Sequence, residues 1–222
     1  GQGVAYTINS IGIMYNPEAV GFEIKSFDDL WDARLEGRIA IPDITTTFGP
    51  AMVYMASDYK GADVTADQGA AAFEALKELK PNIVKTYAKS SDLINMFTSG
   101  EIEAAIVGDF GVPTIQAADP SLVYVTPDVT YANFNTISIT KNSKNKELAY
   151  EYINYRLSRE LQTKTGKALN EAPTNNQVAF TEEESANMTY GDAAENAKVI
   201  DYSFVNPILG EWIDQWNRII NS

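Results

Sequence analysis

Three short segments hold the residues whose types and spacing could do chemistry. Asp43-Ile-Thr45-Thr46-Thr47-Phe48-Gly49 is a hydroxyl cluster beside a helix start. Gly108-Asp109-Phe110-Gly111 sets one acid among small residues, and Tyr131-Ala-Asn133-Phe134-Asn135 is rich in side chains that hydrogen-bond or stack. The chemistry on offer is recognition. Hydroxyls and free N–H groups at a helix start either cap that helix or meet a ligand, favouring anionic or zwitterionic groups. Asp109 reads equally as a simple N-cap or as an acid facing a cleft. Catalysis has little to draw on, because the 222 residues include no histidine and no cysteine. That removes the Ser-His-Asp triad, the Cys-His pair, the HExxH zinc site and the CxxC redox pair. No phosphate loop, dinucleotide fingerprint or EF-hand loop occurs, so neither a cofactor nor a metal is expected. Glu182, Glu183 and Glu184 read as a helix start that complements the helix dipole.

With 17 basic and 30 acidic residues the chain carries a net charge of −13. Nucleic acids and anionic membranes both require a basic footprint, so neither is an expected partner. Between Lys89 and Lys141 no basic residue occurs, while Asp92, Glu101, Glu103, Asp109, Asp119 and Asp128 do. Such a run is either a solvated acidic face or a field that attracts cationic solutes. Apolar runs such as Ala104 to Gly108, and the short segment Ile137 to Ile139, fall far short of the ~18–20 residues that span a membrane. No signal-like leader opens the chain, which leaves a cytoplasmic protein or one whose targeting segment has been removed.

The elements that must position these segments alternate. Ser10 to Tyr15, Arg38 to Pro42, Ile83 to Tyr87, Ile102 to Val107, Leu122 to Val125 and Phe134 to Ile139 read as strands. Pro50 to Asp58, Ala66 to Lys80, Ser91 to Ser99 and Val112 to Ala118 read as the intervening helices. A βαβα order implies an α/β sheet with crossover helices, whose ligands sit beyond the carboxyl ends of the strands. Helices then dominate: Lys146 to Leu157, Arg159 to Gly166, Glu182 to Met188 behind the capping box Thr181-Glu-Glu-Glu184, and Pro207 to Ile220. Trp212 and Trp216, one helical turn apart, are expected in the core. The change of character implies two lobes, or one lobe with a helical appendage.

The order of segments resembles the extracellular solute-binding proteins of ABC importers, with the bacterial spermidine/putrescine-binding branch the nearest in pattern. The matching residues are Tyr6 to Asn16, Ser26-Phe-Asp-Asp-Leu-Trp31, Leu35 to Ile41, Leu76 to Asn82, the Gly100-Glu101-Ile102 turn, Asn142 to Ala149 leading to Tyr152-Ile-Asn154, and Ala172-Pro-Thr-Asn175. The resemblance implies a two-lobed α/β fold of the periplasmic-binding-protein-like type II, closing by hinge motion around a solute. It places 11–134 and 187–222 in a complete second lobe. The crossover and the remaining part of the first lobe fall in 1–10 and 135–186. Roughly a hundred residues of the first lobe, about one small domain, are expected to lie outside the chain, leaving Leu148, Tyr152 and Tyr155 uncovered.

Matched position by position, Ile44, Thr47 and Asn135 stand where polyamine binders carry acids, Gly108 stands for a tryptophan, and Glu171 for an aromatic. Most of the carboxylates that hold ammonium groups are therefore absent. The implied ligand-binding set is Asn9, Ser10, Thr45, Thr46, Thr47, Asp109, Asn133, Asn135 and Glu171, suited to a smaller polar or zwitterionic solute. The implied partners are that solute and a membrane permease, outside the cytoplasmic membrane, for a monomer when full length. An enzyme of transferase type on the same fold, or a solute-sensing receptor domain, are the alternatives.

Overall fold

The computed structural model describes residues 3–222, and one strand organises it. The strands are β1 (Val4–Tyr15), β2 (Ile39–Pro42), β3 (Ile83–Tyr87), β4 (Ala104–Gly108), β5 (Val123–Val125), β6 (Tyr131–Ile137), β7 (Ala172–Pro173) and β8 (Lys198–Val199). The helices longer than one turn and a half are α1 (Gly49–Tyr59), α2 (Ala70–Leu79), α3 (Ser90–Thr98), α4 (Val112–Ala118), α5 (Lys146–Arg156), α6 (Arg159–Leu169) and α7 (Tyr202–Ile219).

β1 belongs to two pairings in succession. Its C-terminal part, Ile11–Tyr15, runs antiparallel to β4, and Ile13–Tyr15 also pairs with β5. Its N-terminal part, Val4–Ser10, pairs with β6, and Thr7 and Ile8 with β7. β2 lies parallel between β3 and β4, and β6 lies parallel to β8. One half of the sheet therefore reads β3-β2-β4-β1-β5, a parallel sheet with the long strand inserted against the grain. This is the mixed α/β, periplasmic-binding-protein-like arrangement.

Strand periodicity accounts for the two-sided burial in that half. Ile11, Ile13 and Tyr15 of β1, Ile39 and Ile41 of β2, and Ala104 and Ile106 of β4 face one cluster, built with α1, α2 and α7. Met14, Ala40, Ala105 and Val107 face the other, built with α3 and α4. A strand buried on both faces is apolar throughout, and these strands are. Trp212 and Trp216 both lie in the first cluster, as their spacing requires. Trp212 meets Tyr54, Phe73 and Phe204 edge-on and donates its Nε1–H to Gln68 O at 2.8 Å.

Several expected boundaries move. β1 begins at Val4 rather than Ser10, because its polar residues Thr7 and Asn9 are buried by pairing with β6 and β7. The helix expected over 66–80 is broken by Gln68 and Gly69, both left-handed (φ 57° and 88°). β6 starts at Tyr131, so Asn133 and Asn135 are strand residues. The helix expected over 182–188 ends at Ser185 after a genuine Thr181–Glu184 capping box. α7 begins at Tyr202, with Asp201 as its cap, and carries Pro207 inside it. On α5 no residue is buried, and Leu148 is 66% exposed beside Tyr152 and Tyr155, as expected from the sequence.

Candidate functional site

The point where β1 passes from one pairing to the other gathers polar residues from distant parts of the chain. Asn9 sits at this crossing. Its amide donates to Asp109 Oδ1 at 3.1 Å, while its own Oδ1 accepts from Asn135 Nδ2 at 2.9 Å. Asn135 Nδ2 also donates to Thr7 Oγ1 at 2.8 Å. Thr189, from the segment returning across the molecule, approaches from the other side. Its Oγ1 lies 2.5 Å from Asp109 Oδ2 and 2.8 Å from Ser10 Oγ. A hydroxyl carries one proton, so Thr189 donates to the carboxylate and accepts from Ser10.

Asp109 is the hub of this network. It is 1% exposed, and it also accepts from the backbone N–H of Thr189 (3.0 Å) and of Phe110 (2.8 Å). Burial, only partly offset by the hydrogen bonds from Thr189, Asn9 and Phe110, leaves its carboxyl raised to about 6. Asn170, left-handed at φ 53°, donates to Asp109 O and Asn187 O, both at 2.8 Å, and so fastens the end of α6 to the same hub. The carboxylate joins the end of β4 to both passages of the chain.

In front of this network opens a cleft of about 410 Å³, lined by Asn9, Thr47, Phe48, Phe110, Asn133, Asn135, Leu169 and Glu171. That volume lies within the range of small-molecule sites. Five of the nine residues anticipated from sequence line it: Asn9, Thr47, Asn133, Asn135 and Glu171. The other four lie elsewhere. Ser10 and Asp109 are buried behind the wall. Thr45 closes an Asx turn onto Asp43 Oδ1 (2.6 Å), and Thr46 donates to Asp43 O (2.7 Å). These two hydroxyls are spent on Asp43 within the turn rather than on capping α1, which has no side-chain cap, and Thr47 is left exposed just before that helix. Glu171 Oε2 lies 3.5 Å from Arg156 Nη2, whose guanidinium rests 4.4 Å from the Tyr6 ring.

Phe48, Phe110 and Leu169 were not singled out by sequence. The two phenylalanines did lie inside the turns that drew attention, whereas Leu169 at the end of α6 had no sequence signal. Thr189, 80 residues from Asp109, was not singled out either. A larger concavity, about 460 Å³, lies elsewhere, among Phe27, Met55, Asp58, Asp128, Tyr131 and Lys198. Its Asp58 is already held by Lys198 at 2.6 Å and by Tyr131. Among the described residues no cluster of acids could hold a metal ion, and no helix is long and apolar enough to cross a membrane.

A mixed sheet threaded by one long strand, with a polar cleft at the crossing, is the arrangement of periplasmic-binding-protein-like folds. The chain belongs to the bacterial extracellular solute-binding proteins, whose family model matches residues 1–190. A structure of an ABC transporter from Clostridium perfringens ATCC 13124 is 58% identical over 100% of this chain and 70% of that chain, with a TM-score of 0.90. The spermidine/putrescine ABC transporter substrate-binding protein PotD from Streptococcus pneumoniae has the same fold at 18% identity, covering 98% of this chain and 68% of its own, with a TM-score of 0.80. So does MotA from A. tumefaciens B6, solved with glucopine, at 20% identity, 98% and 71% coverage, and a TM-score of 0.79. Among curated proteins none matches the chain. The chain is thus homologous to substrate-binding components of ABC transporters, and its family and neighbours are transport proteins rather than enzymes.

Proposed function

We propose that this chain captures a small polar or charged solute outside the cytoplasmic membrane and hands it to the permease of an ABC importer. In this reading 11–134 with 187–222 forms one lobe, and 1–10 with 135–186 belongs to the other. They close about the crossing of β1 and β6. The observation that carries the reading is the cleft itself. Asn9, the strand residues Asn133 and Asn135, and Glu171, from three separate parts of the chain, meet Thr47 at one opening of about 410 Å³. Such a set can hold and orient a solute, and it contains no paired acid and base that would turn one over.

The fold carries different solutes in different relatives: a polyamine transporter's binding protein and a glucopine complex both share it. The solute is therefore read from the side chains of this cleft, not from the fold. The test is a thermal-shift screen of amines, amino acids, sugars and organic acids, with hits confirmed by calorimetry. A true ligand at 100 times its Kd stabilises by about 2.7 kcal/mol. Asn133→Ala should weaken binding of the confirmed ligand at least tenfold while leaving the unfolding midpoint of the free protein unchanged. If Asn133→Ala and Thr47→Ala both bind that ligand as the parent does, the cleft is not the site.

A further inference from the structure

We propose that Asp109 is a positioning residue for the cleft. Through Asn9 it fixes the amide of Asn135, so that the wall offers a carbonyl oxygen there and selects a solute that donates an N–H or O–H. This deepens the solute-binding reading and rests on it. The bonds involved all lie inside the wall, between residues of this chain.

The two-residue period of a strand places Thr7 and Asn9 on one face of β1, and Asn133 and Asn135 on the adjoining face of β6. In the register Thr7 lies opposite Asn135 and Asn9 opposite Asn133. Asn135 is thus across from Thr7 and diagonal to Asn9, within reach of both. Thr7 and Asn9 are buried, whereas Asn135 is exposed at the cleft. A line of amides therefore leads from the buried carboxyl to the opening.

That line has a direction, and Asp109 sets it. A carboxylate only accepts. Asn9 must therefore turn its amide nitrogen to Asp109 Oδ1, 3.1 Å away, which leaves its own carbonyl oxygen toward β6. Asn135 meets that oxygen with its nitrogen at 2.9 Å, because the flipped amide would set two oxygens against each other. Its second amide proton goes to Thr7 Oγ1 at 2.8 Å. Both protons of the Asn135 amide are spent inside the wall, so its carbonyl oxygen is what it has left for a solute. Protonation of the carboxyl does not undo this. Each carboxyl oxygen faces a backbone N–H that cannot turn, Phe110 on Oδ1 and Thr189 on Oδ2. Beside Oδ2 lies the Thr189 hydroxyl, which can accept a proton there and pass its own to Ser10 Oγ at 2.8 Å. An added proton settles on Oδ2, and Oδ1 goes on accepting from Asn9.

The consequence is a choice among solutes. A solute that donates at this point replaces water on the Asn135 oxygen without loss. An analogue methylated at the donating atom leaves that oxygen buried and unpaired. A site made to pair a donor rejects an analogue lacking it more strongly than it rejects one that differs by a methylene alone.

Nuclear magnetic resonance on the isotope-labelled 222-residue chain reads the direction of the bonds. Couplings across the hydrogen bonds should connect Asn9 Nδ2 with Asp109 Cγ, and Asn135 Nδ2 with Asn9 Cγ. Asp109→Asn, whose amide can face Asn9 with either atom, should weaken the second coupling. Calorimetry reads the selection, with glycine against betaine, methylammonium against tetramethylammonium, and glycerol against its trimethyl ether. Each pair loses N–H or O–H donors and keeps its charge. In any pair that binds, the donor-bearing member should be held at least tenfold more tightly. Asn9→Leu removes the oxygen that holds Asn135 and should reduce that preference at least threefold. Asn9→Asp, sharing one proton with Asp109, keeps an oxygen toward Asn135 and should preserve it, both variants retaining the parent's circular dichroism. A preference that survives in Asn9→Leu comes from size alone and overturns the assignment. So does a coupling from Asn9 Nδ2 to Asn135 Cγ, or a bound solute, among these probes or in the wider screen, that holds as tightly without any N–H or O–H. Each of these leaves the solute-binding reading standing. No binding by any probe or by any solute in the wider screen removes that reading, and the selection with it.

Discussion

Asp109 shows how a residue flagged for chemistry can serve geometry instead. Its type and setting in Gly108-Asp109-Phe110-Gly111 were visible in the sequence, but its partners were not. Asn9 is 100 residues away and Thr189 is 80. Only the crossing of β1 brings them together, so no local pattern separates a buried hub from a cleft acid. The buried carboxyl makes a prediction at this scale. Its ordinary value is 3.8, and in the folded protein it stands near 6. Between these the folded state keeps the proton while the unfolded chain has lost it. This group's contribution is fully present below pH 3.8 and disappears as pH rises through 6. The difference between the parent and Asp109→Asn, followed by urea unfolding from pH 4 to pH 7, should fall with rising pH by on the order of 2–3 kcal/mol. A flat difference would mean that the carboxyl is not the group that titrates.

The elements were legible wherever burial is two-sided or punctuation is strong. β2 and β4 are apolar without interruption, and α1 carries Pro50 in its first turn. In the missed half of β1, Val4–Asn9, the polar residues Thr7 and Asn9 flank Ile8 and are buried by segments far along the chain rather than turned to solvent. Pro207 read as a helix start because proline belongs in a first turn, yet packing of the Trp212 and Trp216 face carries α7 through it. The turn before α1 is where an element controls the cleft. A Cβ on Gly49 would lie 2.3 Å from Ile44 C and O and 2.4 Å from Asp43 O. These are backbone atoms and cannot swing aside. Gly49→Ala must therefore push the Asp43–Phe48 turn outward and carry Thr47 and Phe48 with it. We expect a loss of about 1–3 kcal/mol in stability, read by urea unfolding, and at least a tenfold loss of solute affinity. Parent-like values in both would show that the turn yields freely.

At the scale of the whole molecule, α5 presents Leu148, Tyr150, Tyr152 and Tyr155 to solvent, and none of its residues is buried. Exposed apolar area of this kind promotes association. The 222-residue chain should bind a hydrophobic dye and show a concentration-dependent rise in mass by light scattering. Leu148→Lys with Tyr152→Lys should diminish both, and an unaffected monomer at all concentrations would refute the expectation. The threading of β1 has a kinetic consequence too. The strand's partners are β4, β5, β6 and β7, of which the nearest begins at Ala104 and the farthest ends at Pro173. Each pairing requires a long loop to close before any contact rewards it, so contact order is high and folding is slow. β1 is completed only after the later segments that pair with it are made. A chain built this way stays unfolded until most of it has been made, which is the form in which an extracellular protein can be threaded across a membrane.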